Sequence, residues 1–568
     1  MASYTSYNKL KFDKSDIATL KWINNVCKAQ RWQVALIVII NAVNAVTTVI
    51  FANFSKNIIN AATEEHSFKR VMFYAICFFV LIMFQMLLSL ADKSLTERCK
   101  CKLEWILKEH MLKVIMRKDY SKISKYHTGE LHNRMFNDII LISDGFATIL
   151  PNLVYYVVKL LCAFIYLIFI DKIFAVIFLV GGVLVFLFSH VFRKKLKQLH
   201  KRVQETEGKT RSFVQEILTS LLVVKAFGVE DKVADEADNL QSENYKAKMK
   251  RRFFGITVNA GLNFVFNFGY VFALAFGAYR LINGIDYGTI TAMLQLVNQI
   301  QTPFASLSYM LPQYFTIIAS AERLIEIENI PDEQEDNHSD IDVVDTYNRL
   351  KYIDFDNISF RYDRDIILDS TSLKINKGDF IAIMGISGIG KSTLLKLLLG
   401  VFKVEQGNID LVLDNGSIPA DFHTRRLFSY VPQGNFLLSG TIRDNITFIN
   451  SDATEDEIQQ AIRISCSDQF INELPDGLET VIGERGIGLS EGQLQRLAIA
   501  RSLLSKSPVM LLDEATSALD EATEMRFLTN LKELKDKTCI IVSHKRAALE
   551  ICNKHIQIID HKIVMEEK

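Results

Sequence analysis

The chain of 568 residues reads as two folds in series: an all-α membrane half of six spans, then an α/β half built around a glycine-rich loop. Three observations predict this. Apolar residues are concentrated before about position 320, in windows of about twenty, the length that crosses a bilayer. The stretch Gly385-Ile386-Ser387-Gly388-Ile389-Gly390-Lys391-Ser392-Thr393 fits the pattern G-x-x-x-x-G-K-[ST]. The length itself exceeds what one hydrophobic core serves, so two or more domains are required.

Six windows satisfy the membrane criterion: 33–53, 70–91, 147–170, 173–192, 254–279 and 289–311. The fourth, Ile173 to Phe192, contains no Asp, Glu, Lys or Arg; the fifth and sixth are more polar. Several are too long and too uniformly apolar for buried helices of a soluble core. Before them, Ile17 to Trp32 reads as an amphipathic helix on the membrane surface, with Trp22 and Trp32 as interfacial anchors. It starts too late and lacks the cleavage pattern of a signal peptide. Segments around 93–134 and 193–252 are dense in base, including Arg193-Lys194-Lys195 and Lys250-Arg251-Arg252. The connections Asp171-Lys172 and Arg280 to Gly288 are short and poor in base. By the positive-inside rule the two basic segments and both termini face the cytoplasm.

Polar residues inside the spans have two readings. Asn41, Asn44, Thr47 and Thr48 cluster in the first span, and Gln295, Asn298, Gln299 and Gln301 in the sixth. Asn259, Asn263 and Asn267 recur every four residues and share one helix face. Such amides either bond neighbouring helices or line a cavity for a polar amphiphile. Lys159 is the main intramembrane charge.

The glycine-rich loop follows a strand-like run, Phe380 to Met384, and precedes a helix-like run, Leu394 to Leu399. That context turns successive backbone N–H groups and a helix N-terminus toward phosphate oxygens, with Lys391 adding a point charge. Ser392 would ligate the Mg²⁺ that accompanies a nucleotide. Val509 to Glu514 is an apolar strand ending in two acids: Asp513 is placed to hold Mg²⁺ through water, and Glu514 to polarise an attacking water. Leu489-Ser490-Glu491-Gly492-Gln493 leads into the helix-prone run Leu494 to Leu504. A further strand, Ile540 to Ser543, delivers His544, and Gln433 sits in Val431-Pro432-Gln433.

In order and spacing, residues 351–568 resemble the ATP-binding cassette family of transporters. The resemblance makes Gly385 to Thr393 the Walker A loop, with Gly385, Ser387, Gly388, Gly390, Lys391, Ser392 and Thr393 at ATP. Tyr362 becomes the aromatic residue that stacks on adenine. Val509 to Glu514 becomes Walker B, Ser517-Ala518-Leu519-Asp520 the D-loop, and Gly483-Glu484-Arg485-Gly486 the X-loop of exporters. The implied catalytic residues are Glu514, His544 and Gln433, and the implied Mg²⁺ ligands are Ser392, Gln433 and Asp513. Ser490, Gly492 and Gln493, in the signature motif, contact ATP held by the opposite cassette, and Asp520 joins the ATP site. The signature departs from the family pattern at Glu491, where glycine is usual; its carboxylate either weakens closure by repelling the γ-phosphate or, the favoured reading, faces solvent and leaves the anion contacts in place. In the membrane half, Thr128 to Asp138 and Val223 to Glu230 resemble the two intracellular loops of exporters, and Ser320 to Leu324 the end of the sixth helix.

The expected fold class is therefore multi-domain: an all-α six-helix transmembrane domain of exporter type, followed by an α/β P-loop ATPase cassette. Expected boundaries are 1–32 for an N-terminal cytoplasmic segment, 33–328 for the transmembrane domain, 329–350 for an acidic linker and 351–568 for the cassette. Pro331 to Asn337 carries the linker's acidity. The eight cysteines form no framework, and Cys99 with Cys101 lacks the companions of a zinc site. A formal net charge of +0 gives no indication of nucleic-acid binding. With no internal repeat, the resemblance implies a half-transporter acting with a second chain, a homodimer being favoured over a heterodimer. It implies ATP and Mg²⁺ as cofactors, a multi-pass place in a bacterial cell membrane, and export of an amphiphilic peptide, drug or lipid. An importer of the same fold and an ATP-gated channel are the alternatives.

Overall fold

The computed structural model describes residues 14–333, 341–386, 388–434, 437–483, 488–534 and 537–567. They divide into two compact units: residues up to Lys113 with Thr128–Glu328, and Val114–His127 with Asn329–Lys568.

In chain order, the N-terminal half consists of α1 (Lys14–Val26), α2 (Arg31–Thr63), α3 (Phe68–Arg117), α4 (Tyr120–Ile123) and α5 (Thr128–Asn133). After these come α6 (Ile139–Ile170), α7 (Lys172–Thr219), α8 (Leu221–Phe227), α9 (Glu230–Ile282) and α10 (Tyr287–Glu328). Among the described residues, four stretches are long and apolar enough to cross a membrane: Lys28–Thr63, Phe68–Arg117, Thr128–Ile170 and Glu230–Ile282. The expected spans 173–192 and 289–311 fall in α7 and α10. Within the described residues α7 contributes a shorter apolar stretch, Lys172–Gly182. Helices run far past the hydrocarbon length because the polar sequences beyond each span keep helical periodicity without a breaker. The connection from α6 to α7 is the single residue Asp171. Its carboxylate accepts the N–H groups of Ile173 and Phe174 at 2.9 and 3.1 Å, an N-cap that starts the new helix, and Arg280 neutralises it at 2.7 Å.

The helices of this unit meet along a seam of α2, α6 and α10. Val49, Ala52, Ala163, Leu167, Met293, Leu296 and Val297 are buried there together. The alanines let backbones approach closely. Most sixth-span amides take the packing role: Gln295 donates to Ser55 Oγ (3.1 Å), Gln299 to Thr48 O (2.6 Å) and Gln301 to Phe266 O (3.0 Å). Asn259, Asn263 and Asn267 instead lie exposed along α9. Trp22 is not a free interfacial anchor, because its ring N–H donates to Glu328 at the end of α10, whereas Trp32 is exposed. The two stretches that resemble the first intracellular loop and the end of the sixth helix are bonded together. Buried Arg134 donates to Glu130, Glu326 and Arg323 O, while Asp138 accepts from Ser320 and Arg323.

The second unit is built on two main sheets and a short two-stranded one. Its elements are α11 (Val343–Arg349), β1 (Leu350–Tyr362), β2 (Asp365–Asn376), β3 (Phe380–Met384), α12 (Lys391–Leu398), β4 (Gln406–Leu413), β5 (Gly416–Pro419) and β6 (Phe428–Val431). They continue with β7 (Gly440–Thr441), α13 (Ile442–Thr447), α14 (Glu455–Ile464), α15 (Asp468–Glu473), β8 (Val481–Ile482), α16 (Glu491–Leu504), β9 (Val509–Asp513) and α17 (Glu521–Lys532). Last come β10 (Thr538–Val542), α18 (Arg546–Ile551), β11 (Lys554–Ile559) and β12 (Lys562–Glu567). The large sheet has order β12-β11-β3-β10-β9-β6, all parallel except the edge strand β12. Its central strands β9 and β10 are buried at every residue, as a parallel sheet covered on both faces requires. The smaller antiparallel sheet has order β2-β1-β4-β5. Part of the expected linker is structured: in α11, Tyr347 enters the cassette core and its hydroxyl bonds Thr538 at 3.0 Å. The linker's residues 334–340 lie outside the described residues.

Candidate nucleotide site

Strands β3, β9 and β10 lie side by side, so their C-terminal ends bring three distant sequence segments to one edge, where open α/β sheets bind ligands. The glycine-rich loop leaves β3 and opens α12. Gly390 caps that helix with φ 114° and Gly385 turns the chain at φ 145°, conformations open to glycine and strained for other residues. Lys391 is buried, and its ammonium donates to Gly385 O at 2.8 Å and Ile386 O at 3.1 Å, so the charge sits inside the curl of the loop. Ser387 lies outside the described residues, as do Glu484 to Gly486 of the expected X-loop.

Two pairs of side chains converge beside the loop. Ser392 Oγ donates to Asp513 Oδ1 at 2.8 Å, and Tyr430 on β6 donates to the other oxygen, Oδ2, at 3.0 Å. Burial pushes the Asp513 carboxyl up, and these two donors pull against that shift. Gln433 Nε2 donates to Glu514 Oε2 at 2.7 Å. Glu514 itself adopts φ 51°, a left-handed conformation rare outside glycine, and its N–H donates to Val542 O of β10. Such backbone strain concentrates at functional positions. Hard oxygens from Ser392 and Asp513 at the mouth of a phosphate loop fit an octahedral Mg²⁺.

Tyr362 ends β1 with 38% of its surface exposed. Phe360 and Phe402 meet its ring edge-on, at 4.9 and 5.4 Å with interplanar angles of 88° and 89°. Thr393 Oγ1 lies 3.4 Å from its hydroxyl. His544 is exposed just beyond β10, after buried Ser543.

The signature segment forms the start of α16. Ser490 is the N-cap in a reciprocal capping box: its hydroxyl accepts from Gln493 N–H, and the Gln493 side chain accepts from Ser490 N–H at 2.7 Å. Glu491, the first helical residue, is exposed and sits where the helix dipole favours negative charge. Asp520 caps α17, and its bonds from Thr523 hold the carboxyl below the usual range.

Residues that sequence reasoning missed are the ones that join these parts. Tyr430 fixes Asp513, although its place three residues before Gln433 was a legible hint. Gln495 donates to Ser517 Oγ and accepts from Ala518 N–H, tying α16 to the D-loop. Lys545 donates to Thr516 O and Leu519 O and pairs with buried Glu524 at 3.5 Å, tying the same loop to the segment carrying His544.

A phosphate loop at the edge of a parallel sheet, with a half of long apolar helices on the same chain, defines a membrane protein powered by nucleotide. Comparison with known proteins narrows the class. The transmembrane region characteristic of ABC transporters matches residues 34–304, and the ABC transporter domain matches residues 368–517. A protein of Rickettsia felis named as an export ATP-binding/permease protein is 31% identical over 451 residues, 76% of this chain and 75% of that protein. An ATP-dependent lipid A-core flippase of Syntrophus aciditrophicus is 29% identical over 468 residues, 81% of this chain and 76% of that one. The alpha-hemolysin translocation ATP-binding protein HlyB of Escherichia coli O157:H7 is 31% identical over 383 residues. That match covers 67% of this chain and 53% of HlyB. The solved structure of a bacterial Atm1-family ABC exporter with ATP bound superposes with a TM-score of 0.81 at 22% identity, covering 95% of both chains. The chain belongs to the ATP-binding cassette transporter family and has the fold of its exporters. Its activity is ATP hydrolysis coupled to transport across a membrane, with ATP and Mg²⁺ as cofactors.

Proposed function

We propose that the chain is a half-transporter that pairs with a second copy of itself and moves an amphiphilic substrate out of the cytoplasm. The observation that carries the hydrolytic part is the double convergence beside the phosphate loop, Ser392 with Asp513 and Gln433 with Glu514. In this reading Gly385, Ser387, Gly388, Gly390, Lys391, Ser392 and Thr393 grip the phosphates, and Tyr362 offers its exposed ring face to the base. Ser392, Asp513 and Gln433 would hold Mg²⁺, and the Gln433 amide also donates to the catalytic carboxylate of Glu514. Glu514 takes the proton of the attacking water and His544 steadies the departing γ-phosphate. Mg²⁺ supplies charge neutralisation of the phosphate chain.

Ser490, Gly492 and Gln493 stand far from their own loop in sequence and serve ATP on the opposite cassette, with Asp520 at the same junction. The exposed start of α16, a helix N-terminus carrying Ser490, suits that anion. Glu491 is exposed and leaves Ser490 in place, which supports a homodimer with two working sites. The positive-inside charge pattern supports a cytoplasmic place for both termini and the cassette. The domain limits are 33–328 for the membrane part and 351–568 for the cassette. Outward direction rests on the exporter fold and on the export named for its relatives.

The test is transport by the purified full chain in proteoliposomes. Amphiphile-stimulated ATPase with ATP-dependent loss of the amphiphile from the cassette side is expected. Nucleotide-driven movement in the opposite direction would make it an importer, and passive flux gated by ATP without turnover would make it a channel.

A further inference from the structure

Lys159 stands near the midpoint of the 147–170 window, about 17 Å from either end at a rise of ~1.5 Å per residue. Headgroup phosphates lie too far for its stem to snorkel to them. The residue is buried in α6, one turn before Ala163 and two before Leu167, on the face that enters the seam with α2 and α10. It keeps 9% of its surface accessible. Among the described residues no carboxylate or hydrogen-bond acceptor reaches its ammonium; the contact it makes is with the Tyr155 ring, 5.5 Å from the centroid.

The missing counter-ion is absent from the spans altogether. The six windows 33–53, 70–91, 147–170, 173–192, 254–279 and 289–311 contain no aspartate and no glutamate. Asp92, just past the second window, is already bonded to Asn41. A second copy of the chain brings the same acid-free spans, so dimer formation supplies no partner either. Among the described residues of the same seam, Gln295 Oε1 and Gln299 Oε1 are buried without a donor. An intramembrane ammonium with no protein anion gains most from an anion that enters from outside.

We propose that Lys159 is the anion-recognition point of the transport pathway, and that the substrate is an amphiphile whose headgroup bears a carboxylate, sulfate or phosphate. This rests on the exporter reading above and narrows its substrate class. Lys159 selects the headgroup by charge, and the tail follows the exposed apolar faces of the spans.

The test uses full-length protein in phosphatidylcholine vesicles with two probes of one tail length: N-dodecanoylglycine, which is anionic, and its neutral methyl ester. Binding is read by thermophoresis without ATP, and stimulation by ATPase assay. Wild type should bind the acid at least tenfold tighter than the ester. Lys159→Met should lose that preference through weaker acid binding, Lys159→Arg should restore it, and unchanged melting temperatures would confirm folding. A further arm adds phosphatidylglycerol to the vesicles in place of the probe; stimulation that depends on Lys159 would identify a lipid headgroup as the anion's source. Equal binding of acid and ester by wild type, or a preference that persists in Lys159→Met, overturns the assignment. If the ester alone binds and stimulates hydrolysis, the exporter reading stands and the lysine proposal falls. If neither probe binds or stimulates, both fall together.

Discussion

Replacing Tyr362 by alanine should weaken ATP binding by a bounded amount, and the bound follows from the geometry. The ring is 38% exposed, with Phe360 and Phe402 meeting it edge-on and holding it in one orientation. A preset aromatic face contributes about 0.5–1.5 kcal/mol beyond area burial when another ring stacks on it. That corresponds to a loss of about two- to thirteen-fold in affinity. Lys391→Ala deletes a buried ammonium, which in the proposed site faces phosphate oxygens. Hydrogen bonds to charged groups are worth about 1.5–3 kcal/mol each, so one such bond alone predicts about a thirteen- to 160-fold loss. Displacement of a fluorescent ATP analogue from the purified chain separates the two, with ATP and tripolyphosphate as competitors. Tyr362→Ala should weaken ATP while leaving tripolyphosphate unchanged, because the latter has no base to stack. Lys391→Ala should weaken both. Equal ATP affinity in the two variants, or a loss of tripolyphosphate binding in Tyr362→Ala, would refute the division of labour.

Glu514→Gln should lower steady-state hydrolysis by about 10²–10⁴-fold, the range for losing a general base, while ATP still binds; a near-normal turnover in the purified variant would remove Glu514 from that role. Gly492→Ala places a Cβ 2.9 Å from Ala518 O, so α16 and the D-loop must separate. Overpacking of this kind costs about 1–3 kcal/mol, to be read as a lower melting temperature with slower hydrolysis, and a variant matching wild type in both would show that the contact yields freely. Cysteines placed at 259, 263 and 267 in a background without native cysteines should react with a small hydrophilic thiol reagent, and ATP should change the rate. Three exposed amides on one face of α9 would each cost several kcal/mol if turned to lipid, so protection in every state would instead assign them to helix packing. Glu491→Gly should change hydrolysis by less than about threefold, as expected for an exposed charge screened by solvent; a large gain in rate would show that the carboxylate repels the nucleotide.

The chemistry of the ATP site was legible because its groups are tied to local sequence patterns. A loop whose backbone must curl requires glycine at Gly385 and Gly390, and positive φ at both shows the requirement met. A strand that must bury both faces and then present acids has little freedom, so Val509 to Glu514 announces itself. The apolar windows are similarly forced, since lipid offers no partner for a backbone group or a charge. The acid-free composition of the spans, with its single midpoint lysine, also stands in the sequence.

Other features depend on which residues meet across hundreds of positions, and no local pattern encodes that. Gln295, Gln299 and Asn259 are the same kind of polar residue in the sequence. The tertiary structure divides them, because α10 packs against α2, where Ser55 and the Thr48 carbonyl take up the glutamines, whereas among the described residues the Asn259 face of α9 lies exposed. Trp22 read as an interfacial anchor until the end of α10 brought Glu328 to its ring nitrogen. Tyr430, Gln495 and Lys545 became visible only when parallel pairing set β6 beside β9 and β9 beside β10, placing their side chains against Asp513 and the D-loop. Sequence alone determined the two materials of this chain and the glycine-rich loop proposed to handle phosphate, since solvation and backbone geometry act residue by residue. Which polar groups are satisfied, and which are left to receive a ligand, is a property of pairs, and folding decides the pairs.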